Sequence, residues 1–311
     1  MTDVYMDLVD GEWVETTKEN SYKDSEGNPF SLNELLRQRL DRVSNLVKDK
    51  WDAMFIIDGR ERSGKSNLAC ACAWYLTKGQ MTVDNFASGL QDCAKKIAKI
   101  PNGSVLILDE GSTMFGSKDS TGKAQKQLIK ILDVVGQKNL IFIVCLPCFF
   151  DLNKTIAIRR SLFLIHIAPK VLKDRWKREP FYYFDEKGKS ILYREGKKRN
   201  DSYKFPYPSF DGKYYVFKPP FWDEYERTIK KASLQQVIDD AVESEGNVGA
   251  RPKNKNERGH LFFELKNALG LTNIELGERL NLSSSIISSH LASYKRSIKP
   301  IESPPKAESE L

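Results

Sequence analysis

The stretch M-F-I-I-D-G-R-E-R-S-G-K-S, Met54 to Ser66, joins a short apolar run to a glycine-bounded basic loop, and a helical pattern follows from Ser66 to Lys78. A run of this length ending at a glycine reads as a buried strand. The loop, Gly59 to Ser66, matches G-x-x-x-x-G-K-[ST] in full. Strand, glycine loop and helix in that order bring successive backbone N–H groups and a helix N-terminus onto phosphate oxygens, with glycines letting the chain wrap closely. Gly59, Arg60, Glu61, Arg62, Ser63, Gly64, Lys65, Ser66 and Asn67 are the candidate nucleotide-binding residues. Lys65 is expected to place its charge at the β- and γ-phosphates, and the Ser66 hydroxyl to ligate Mg²⁺, so ATP and Mg²⁺ are the expected cofactors.

Downstream, V-L-I-L-D-E, Val105 to Glu110, is a second buried strand that ends in two acids. Asp109 is the candidate to hold the Mg²⁺ shell, and Glu110 to orient and deprotonate an attacking water. A kinase has a substrate hydroxyl as its nucleophile, so the second acid favours hydrolysis. A third strand, Leu140 to Cys145, would lie between these two in proteins with an extra catalytic acid, and would ordinarily end in a polar residue that senses the γ-phosphate. Here it ends Cys145-Leu146-Pro147-Cys148, leaving Gln137 and Asn139 as substitutes. The C-x-x-C spacing admits a redox or zinc reading, but no second such pair accompanies it, and buried thiols are the simpler expectation.

Around these motifs, strands and helices alternate. A helix is expected from Ser31, whose S-L-N-E spacing to Glu34 reads as a capping box. Further helices are expected from Ser88 to near Pro101, over Lys123 to Val135 and over Asn153 to Ile158, with a strand at Ser161 to Ile167. Continuous apolar strands separated by helices imply a mostly parallel sheet covered on both faces, an α/β fold. The first 30 residues read as a hairpin and polar loop, F-Y-Y-F-D-E-K-G-K-S-I-L-Y after Phe181 as another hairpin, and Trp222 to Val242 as a helix. Gly116 to Ala124 reads as a mobile loop that touches the substrate.

The expected domain plan is an N-terminal extension (1–50), a nucleotide-binding core (51–170), a basic aromatic extension with a helix (171–242), a linker (243–256), a small helical domain (257–296) and a disordered tail (297–311). In the helical domain, Thr272 with Glu275 forms a capping box and Gly277 allows a close helix approach. Leu276, Leu280, Leu282, Ile287 and Leu291 are spaced as one inner face, fitting a helix-turn-helix. Its second helix would present Ser284, Ser285, Ser288, Ser289, Lys295 and Arg296 to DNA. A protein-binding or purely structural three-helix unit is the alternative.

Composition bounds the rest. The chain has 311 residues, a net charge of +7, and 40% hydrophobic, 11% aromatic and 29% charged residues, which excludes global disorder and a disulfide-dense mini-scaffold. Charge is uneven: residues 1–58 hold seven basic against thirteen acidic side chains, whereas residues 170–231 hold seventeen against ten. A polyanion is expected to meet the second half. The acidic N-terminus shows neither the basic n-region nor the apolar h-region expected of a secretory signal, no apolar stretch reaches the roughly 20 residues of a membrane span, and the five cysteines fit a reducing compartment. A cytoplasmic location is the expectation.

The glycine loop, the D-E strand and V-C-L-P-C-F-F-D-L-N-K-T-I-A-I-R-R-S-L-F-L-I-H-I together resemble the additional-strand P-loop ATPases, and within them the FtsK/HerA group of DNA translocases, viral genome-packaging ATPases and Zot-like phage proteins. The resemblance covers about residues 50 to 170. It implies a ring-forming homo-oligomer acting on DNA. Arg159 and Arg160 would then reach a neighbouring subunit's γ-phosphate, with plain surface charge the equal alternative. The expected function is a Mg²⁺-dependent DNA translocase or a viral or plasmid packaging motor. Alternatives are an ATP-switched DNA-binding regulator of partition, replication or transposition, and a Zot-like phage morphogenesis ATPase with a virion protein as partner.

Overall fold

The computed structural model describes residues 2–88, 90–109, 122–168, 170–172, 175–177, 180–230, 259, 261–263, 265, 266, 271–280 and 282–297. The chain divides into two compact units, Met1–Ser233 and Leu234–Leu311.

In the first unit a seven-stranded sheet carries the architecture. Its members are β4 (Ala53–Gly59), β5 (Phe86–Ala87), β6 (Val105–Leu108), β7 (Ile141–Leu146), β8 (Leu164–Ile167), β11 (Pro180–Phe184) and β12 (Phe210–Lys213). They lie in the order β12-β11-β8-β4-β7-β6-β5. The strands from β8 to β5 are parallel, and β11 and β12 add antiparallel to the β8 edge. A short ribbon of β9 (Lys170–Leu172) and β10 (Arg175–Lys177) pairs apart from this sheet. Strand β7 lies between the glycine-loop strand β4 and the acid-bearing strand β6, as the sequence predicts.

Strand β4 is buried along its whole length, and its pleat sorts the core into two layers. Ala53, Phe55 and Ile57 face a cluster holding Leu36, Leu40 and Val43 of α1 (Glu34–Lys48) and Leu68 and Cys72 of α2 (Lys65–Leu76). Met54 and Ile56 face the opposite cluster, with Cys93 and Ile97 of α3 (Leu90–Lys99), Leu132 and Val135 of α4 (Gly122–Gln137), and Leu192 and Tyr193 of α5 (Glu186–Lys198). Continuous apolar strands are what such two-sided burial requires. The hairpin of β1 (Asp3–Val9) and β2 (Glu12–Thr16) joins β3 (Ser31–Asn33) in a separate sheet. Trp13 of β2 packs on Phe30 and Tyr75, closing the α1/α2 layer.

Two local expectations are corrected. Ser31 does not cap a helix: Ser31–Asn33 pairs with β1, and α1 starts at Glu34, where the Asn33 side chain accepts from the Leu36 N–H at 3.2 Å. Strand pairing displaces the capping box. The segment after Phe181 is not a hairpin either. Asp185 caps α5 by accepting from the Gly188 N–H at 2.7 Å, and Lys189, Leu192, Tyr193 and Gly196 then fall on one buried helical face. Of the helix expected at Trp222 to Val242, the described part is an α-helical turn, α6 (Trp222–Tyr225), followed by a π-helical turn at Glu226–Lys230.

In the second unit, α7 (Asn273–Arg279) begins with the Thr272–Glu275 capping box, and α8 (Ser284–Ser297) follows. Leu276, Leu280, Ile287 and Leu291 form its core with Phe262 and Leu265, and Leu282 packs against them. At Gly277 an added Cβ would come within 2.7 Å of the Leu282 carbonyl oxygen, so only glycine allows this approach. The linker at 243–256 and the tail at 298–311 lie outside the described residues.

Candidate nucleotide site

Strand β4 delivers Gly59 at its C-terminal end, and α2 starts at Lys65. Three residues turn the loop with positive φ: Gly59 at 143°, Arg62 at 59° and Gly64 at 99°. A side chain at Gly59 would overlap the Ile167 carbonyl oxygen of the neighbouring strand, and one at Gly64 would overlap the Tyr214 hydroxyl. Both glycines of the motif are therefore demanded by close packing as well as by backbone angle. Arg60, Glu61 and Arg62 lie in the exposed part of the loop, so their contribution to a phosphate is through the main chain. Ser63 is buried, and its Oγ has no hydrogen-bond partner, an orphaned polar atom inside the loop. The Lys65 ammonium folds back over the loop, donating to the Gly59 and Arg60 carbonyls at 2.8 and 3.0 Å.

Across the loop, β6 delivers Asp109, which is almost completely buried. Ser66 Oγ donates to Asp109 Oδ1 at 2.9 Å, bringing together the two residues expected to serve the metal. Spending its proton on the carboxylate leaves the hydroxyl lone pairs of Ser66 available. A hydroxyl and a carboxylate so placed make the all-oxygen donor set that suits Mg²⁺. Glu110 and residues 116–121 of the expected mobile loop lie outside the described residues.

Sequence reading missed the far wall of the site. The chain returns after β12, and the Tyr214 hydroxyl donates to the Ser63 carbonyl at 2.5 Å. Asn67 then clamps Phe217: its Nδ2 donates to the Phe217 carbonyl at 2.7 Å, and its Oδ1 accepts from the Phe217 N–H at 3.1 Å. The Asn67 side chain is thus occupied, and only its main chain is left for a nucleotide. Finally the Tyr225 hydroxyl donates to Asp109 Oδ2, with its ring 4.3 Å from that of Phe86. Burial and the Asp109 carboxylate push the Tyr225 phenol well above its ordinary range, so it remains a donor. The aromatic density of residues 214–225 is visible in the sequence, but nothing in its spacing names Ser63 or Asp109 as partners.

The same edge of the sheet holds a second polar cluster. Asp58, one residue before Gly59, is fully buried on the α5 side. Its Oδ1 is 2.9 Å from His166 Nδ1, and its Oδ2 accepts from the Phe149 N–H at 2.9 Å and from the Tyr203 hydroxyl. The Tyr203 ring stacks on His166 with centroids 3.6 Å apart.

Several sequence-level candidates lie elsewhere. Gln137 and Asn139 precede β7, so they stand at the opposite edge of the sheet from the glycine loop, about 20 Å away at roughly 3.3 Å per residue. They cannot sense a γ-phosphate there. Arg160 donates to Asp52 at 3.1 Å and to the Leu132 carbonyl at 2.8 Å, tying its own chain together, while Arg159 is exposed. Cys145 is fully buried and Cys148 partly so, and burial raises both thiols, as it raises Cys72 and Cys93 to about 12. Such thiols are core residues and poor nucleophiles. In the second unit Ser284, Ser285, Ser288 and Ser289 are exposed on α8, as is Lys295, with Ser288 accepting from Asn273 at 3.0 Å; the Arg296 side chain lies outside the described residues.

No protein-family profile and no curated protein matches the sequence. Among solved structures, the genome packaging NTPase B204 from Sulfolobus turreted icosahedral virus 2, in complex with AMPPCP, is 16% identical, covering 44% of this chain and 94% of its own at a TM-score of 0.32. The N-terminal domain of zonular occludens toxin from Neisseria meningitidis is 11% identical, with 54% and 96% covered and a TM-score of 0.36. AMPPCP-bound DnaA from Aquifex aeolicus is 12% identical, with 86% and 89% covered and a TM-score of 0.29. All three scores fall below 0.5. The chain's own features describe its fold: a mostly parallel α/β sheet with a strand inserted between the glycine-loop strand and the acid strand, and Ser66 meeting Asp109 across the loop.

Proposed function

We propose that the protein hydrolyses ATP with Mg²⁺ and uses the cycle to act on DNA as a translocase or genome-packaging motor. The pairing of Ser66 with Asp109 at 2.9 Å beneath the glycine loop supports the nucleotide half of this reading. Entering phosphates would take the place of the Gly59 and Arg60 carbonyls as acceptors for Lys65, so a contact within the free loop is exchanged for one with the nucleotide. Ser66 and Asp109 would hold Mg²⁺, which supplies charge neutralisation at the β- and γ-phosphates. Glu110, next in sequence to Asp109, would orient and deprotonate water. The exposed Arg159 remains the candidate to reach a neighbouring subunit, since Arg160 is committed to Asp52.

The DNA half rests on the basic surplus of residues 170–231 and on the exposed serines and Lys295 of α8. An ATPase assay with single-stranded DNA, double-stranded DNA and no DNA tests the reading. Stimulation by either DNA supports it. A rate that is flat with both, together with stimulation by a capsid or membrane protein, would place the activity in virion morphogenesis instead. Tracking of single molecules on long DNA separates a motor, which moves directionally with ATP, from a switch, which sits still and leaves on hydrolysis.

A further inference from the structure

The loop between α5 and β12 joins two features that the nucleotide site leaves unused: exposed aromatic rings among cations, and a direct bond to the residue beside Gly59. Phe205 is 42% and Tyr207 88% exposed, so one short loop presents two large rings to solvent. Just before them in the chain stand Arg194, Lys197, Lys198, Arg199 and Lys204, against Glu195 and Asp201 within residues 194–204, with Lys198 paired to Glu195 at 2.9 Å. The Arg199 guanidinium lies 5.0 Å from the centre of the Phe205 ring, holding a cation against one of the two rings. Asn200 and Asp201, with φ of 55° and 57°, turn the chain sharply between helix and loop. Cations that follow a phosphate backbone, interleaved with rings that stack on unpaired bases, form the surface that single-stranded nucleic acid takes. Duplex DNA keeps its bases stacked on each other and offers these rings nothing.

Tyr203 lies in the middle of the same loop with its side chain turned inward. Its hydroxyl donates to Asp58, its ring stacks on His166 at 3.6 Å, and it shares Asp58 with the main chain of Phe149 just beyond β7. Burial and the Asp58 charge push its phenol far above the ordinary range, so it stays protonated and keeps donating. Displacement of the loop therefore pulls on Asp58, whose next neighbour is the first glycine of the phosphate loop.

We infer that residues 197–207 are a single-stranded nucleic acid contact, with Phe205 and Tyr207 as base-stacking platforms, and that Tyr203 transmits its occupancy to the phosphate loop through Asp58. This deepens the DNA-dependent reading proposed above and rests on it.

Fluorescence anisotropy with a labelled oligo-dT of about 15 nucleotides and a blunt duplex of equal length, at fixed salt, tests the contact. Replacing both rings, Phe205→Ala with Tyr207→Ala, is expected to weaken oligo-dT binding by about 10-fold or more, while duplex affinity stays within twofold. The variant's far-UV thermal melt should match the wild type, since both rings are exposed. Unchanged oligo-dT affinity in a wild type that binds it, or an equal loss for duplex, would overturn the contact and leave the DNA-dependent reading standing. A wild-type protein that binds neither nucleic acid would remove that reading and this one with it. For transmission, Tyr203→Phe keeps the stacking ring and removes only the hydroxyl. The ratio of ATP turnover with saturating oligo-dT to turnover without it should fall toward one, with oligo-dT affinity retained; a ratio equal to the wild type's overturns the role of Tyr203.

Discussion

Lys189 is a fully buried lysine on α5, and replacing it with methionine tests how the segment bearing the two arginines is held. Its ammonium donates to the carbonyls of Ala157 and Ile158, at 3.0 and 2.9 Å, inside the π-helical turn Thr155–Arg160 that leads into β8. Desolvation lowers its pKa from 10.5 to about 8, with Glu186 opposing part of the shift. Between those values the unfolded chain holds the proton that the folded chain has released, so unfolding takes up protons and stability must rise with pH. The separation between the two values corresponds to at most about 3 kcal/mol, absent below pH 8 and gained as the pH climbs toward 10.5. Lys189→Met keeps the length and volume of the side chain and removes the titration. Urea unfolding of both proteins from about pH 7 to about pH 10, taken as the difference between them, cancels every other titrating group. The wild type should gain on the variant by about 1 kcal/mol for each pH unit above about 8. A difference that is flat with pH would refute the buried, proton-releasing lysine.

The site assignments are open to direct tests. Lys65→Ala should abolish ATP hydrolysis, whereas Glu110→Gln should leave ATP bound and slow its turnover; steady-state rates and nucleotide binding read both, and wild-type turnover in the two variants removes the assignment. Gly64→Ala forces an L-residue to φ of 99° and its methyl against the Tyr214 hydroxyl, so a loss of about 1–2 kcal/mol or more is expected in denaturant unfolding, with weakened nucleotide binding. Removing residues 251–311 should weaken DNA binding at fixed salt and leave ATP binding in place, and unchanged DNA affinity would contradict the role given to α7 and α8.

The nucleotide loop and the sheet around it were legible in the sequence because both are written in local signals. Residues 53–59 are buried on both faces, which only a strand covered from two sides tolerates, and the glycines of Gly59 to Ser66 announce a backbone that side chains would obstruct. Legibility fell where one interaction overrode another. Ser31 carries a valid capping pattern, but pairing with β1 claims its backbone first. After Phe181 the glycine of D-E-K-G-K suggested a turn; the Asp185 cap and the buried face through Leu192 and Gly196 made a helix instead. Gln137 and Asn139 were assigned by sequence proximity to a strand whose relevant end is the other one. The wall formed by Tyr214, Phe217 and Tyr225 was invisible for a different reason: its contacts span 116 to 151 residues of chain, and no periodicity records such a distance.

That wall changes what the basic aromatic stretch is for. As a sequence it reads as a surface for a polyanion, and its exposed half, from Lys197 to Tyr207, keeps that character. Its buried half walls the glycine loop. Tyr214 holds the Ser63 carbonyl, Phe217 is pinned by both ends of the Asn67 amide, and Tyr225 holds the Asp109 carboxylate, so one segment touches the loop, the helix after it and the acid strand. Hydrogen bonds to a buried carboxylate are costly to leave unmade. Rearrangement of Asp109 around a metal must therefore either carry Tyr225 along or break its bond. The chain around β12 thus meets the glycine loop and its strand on both faces of the sheet, through Tyr203 and Asp58 before β12 and through Tyr214 and Ser63 after it.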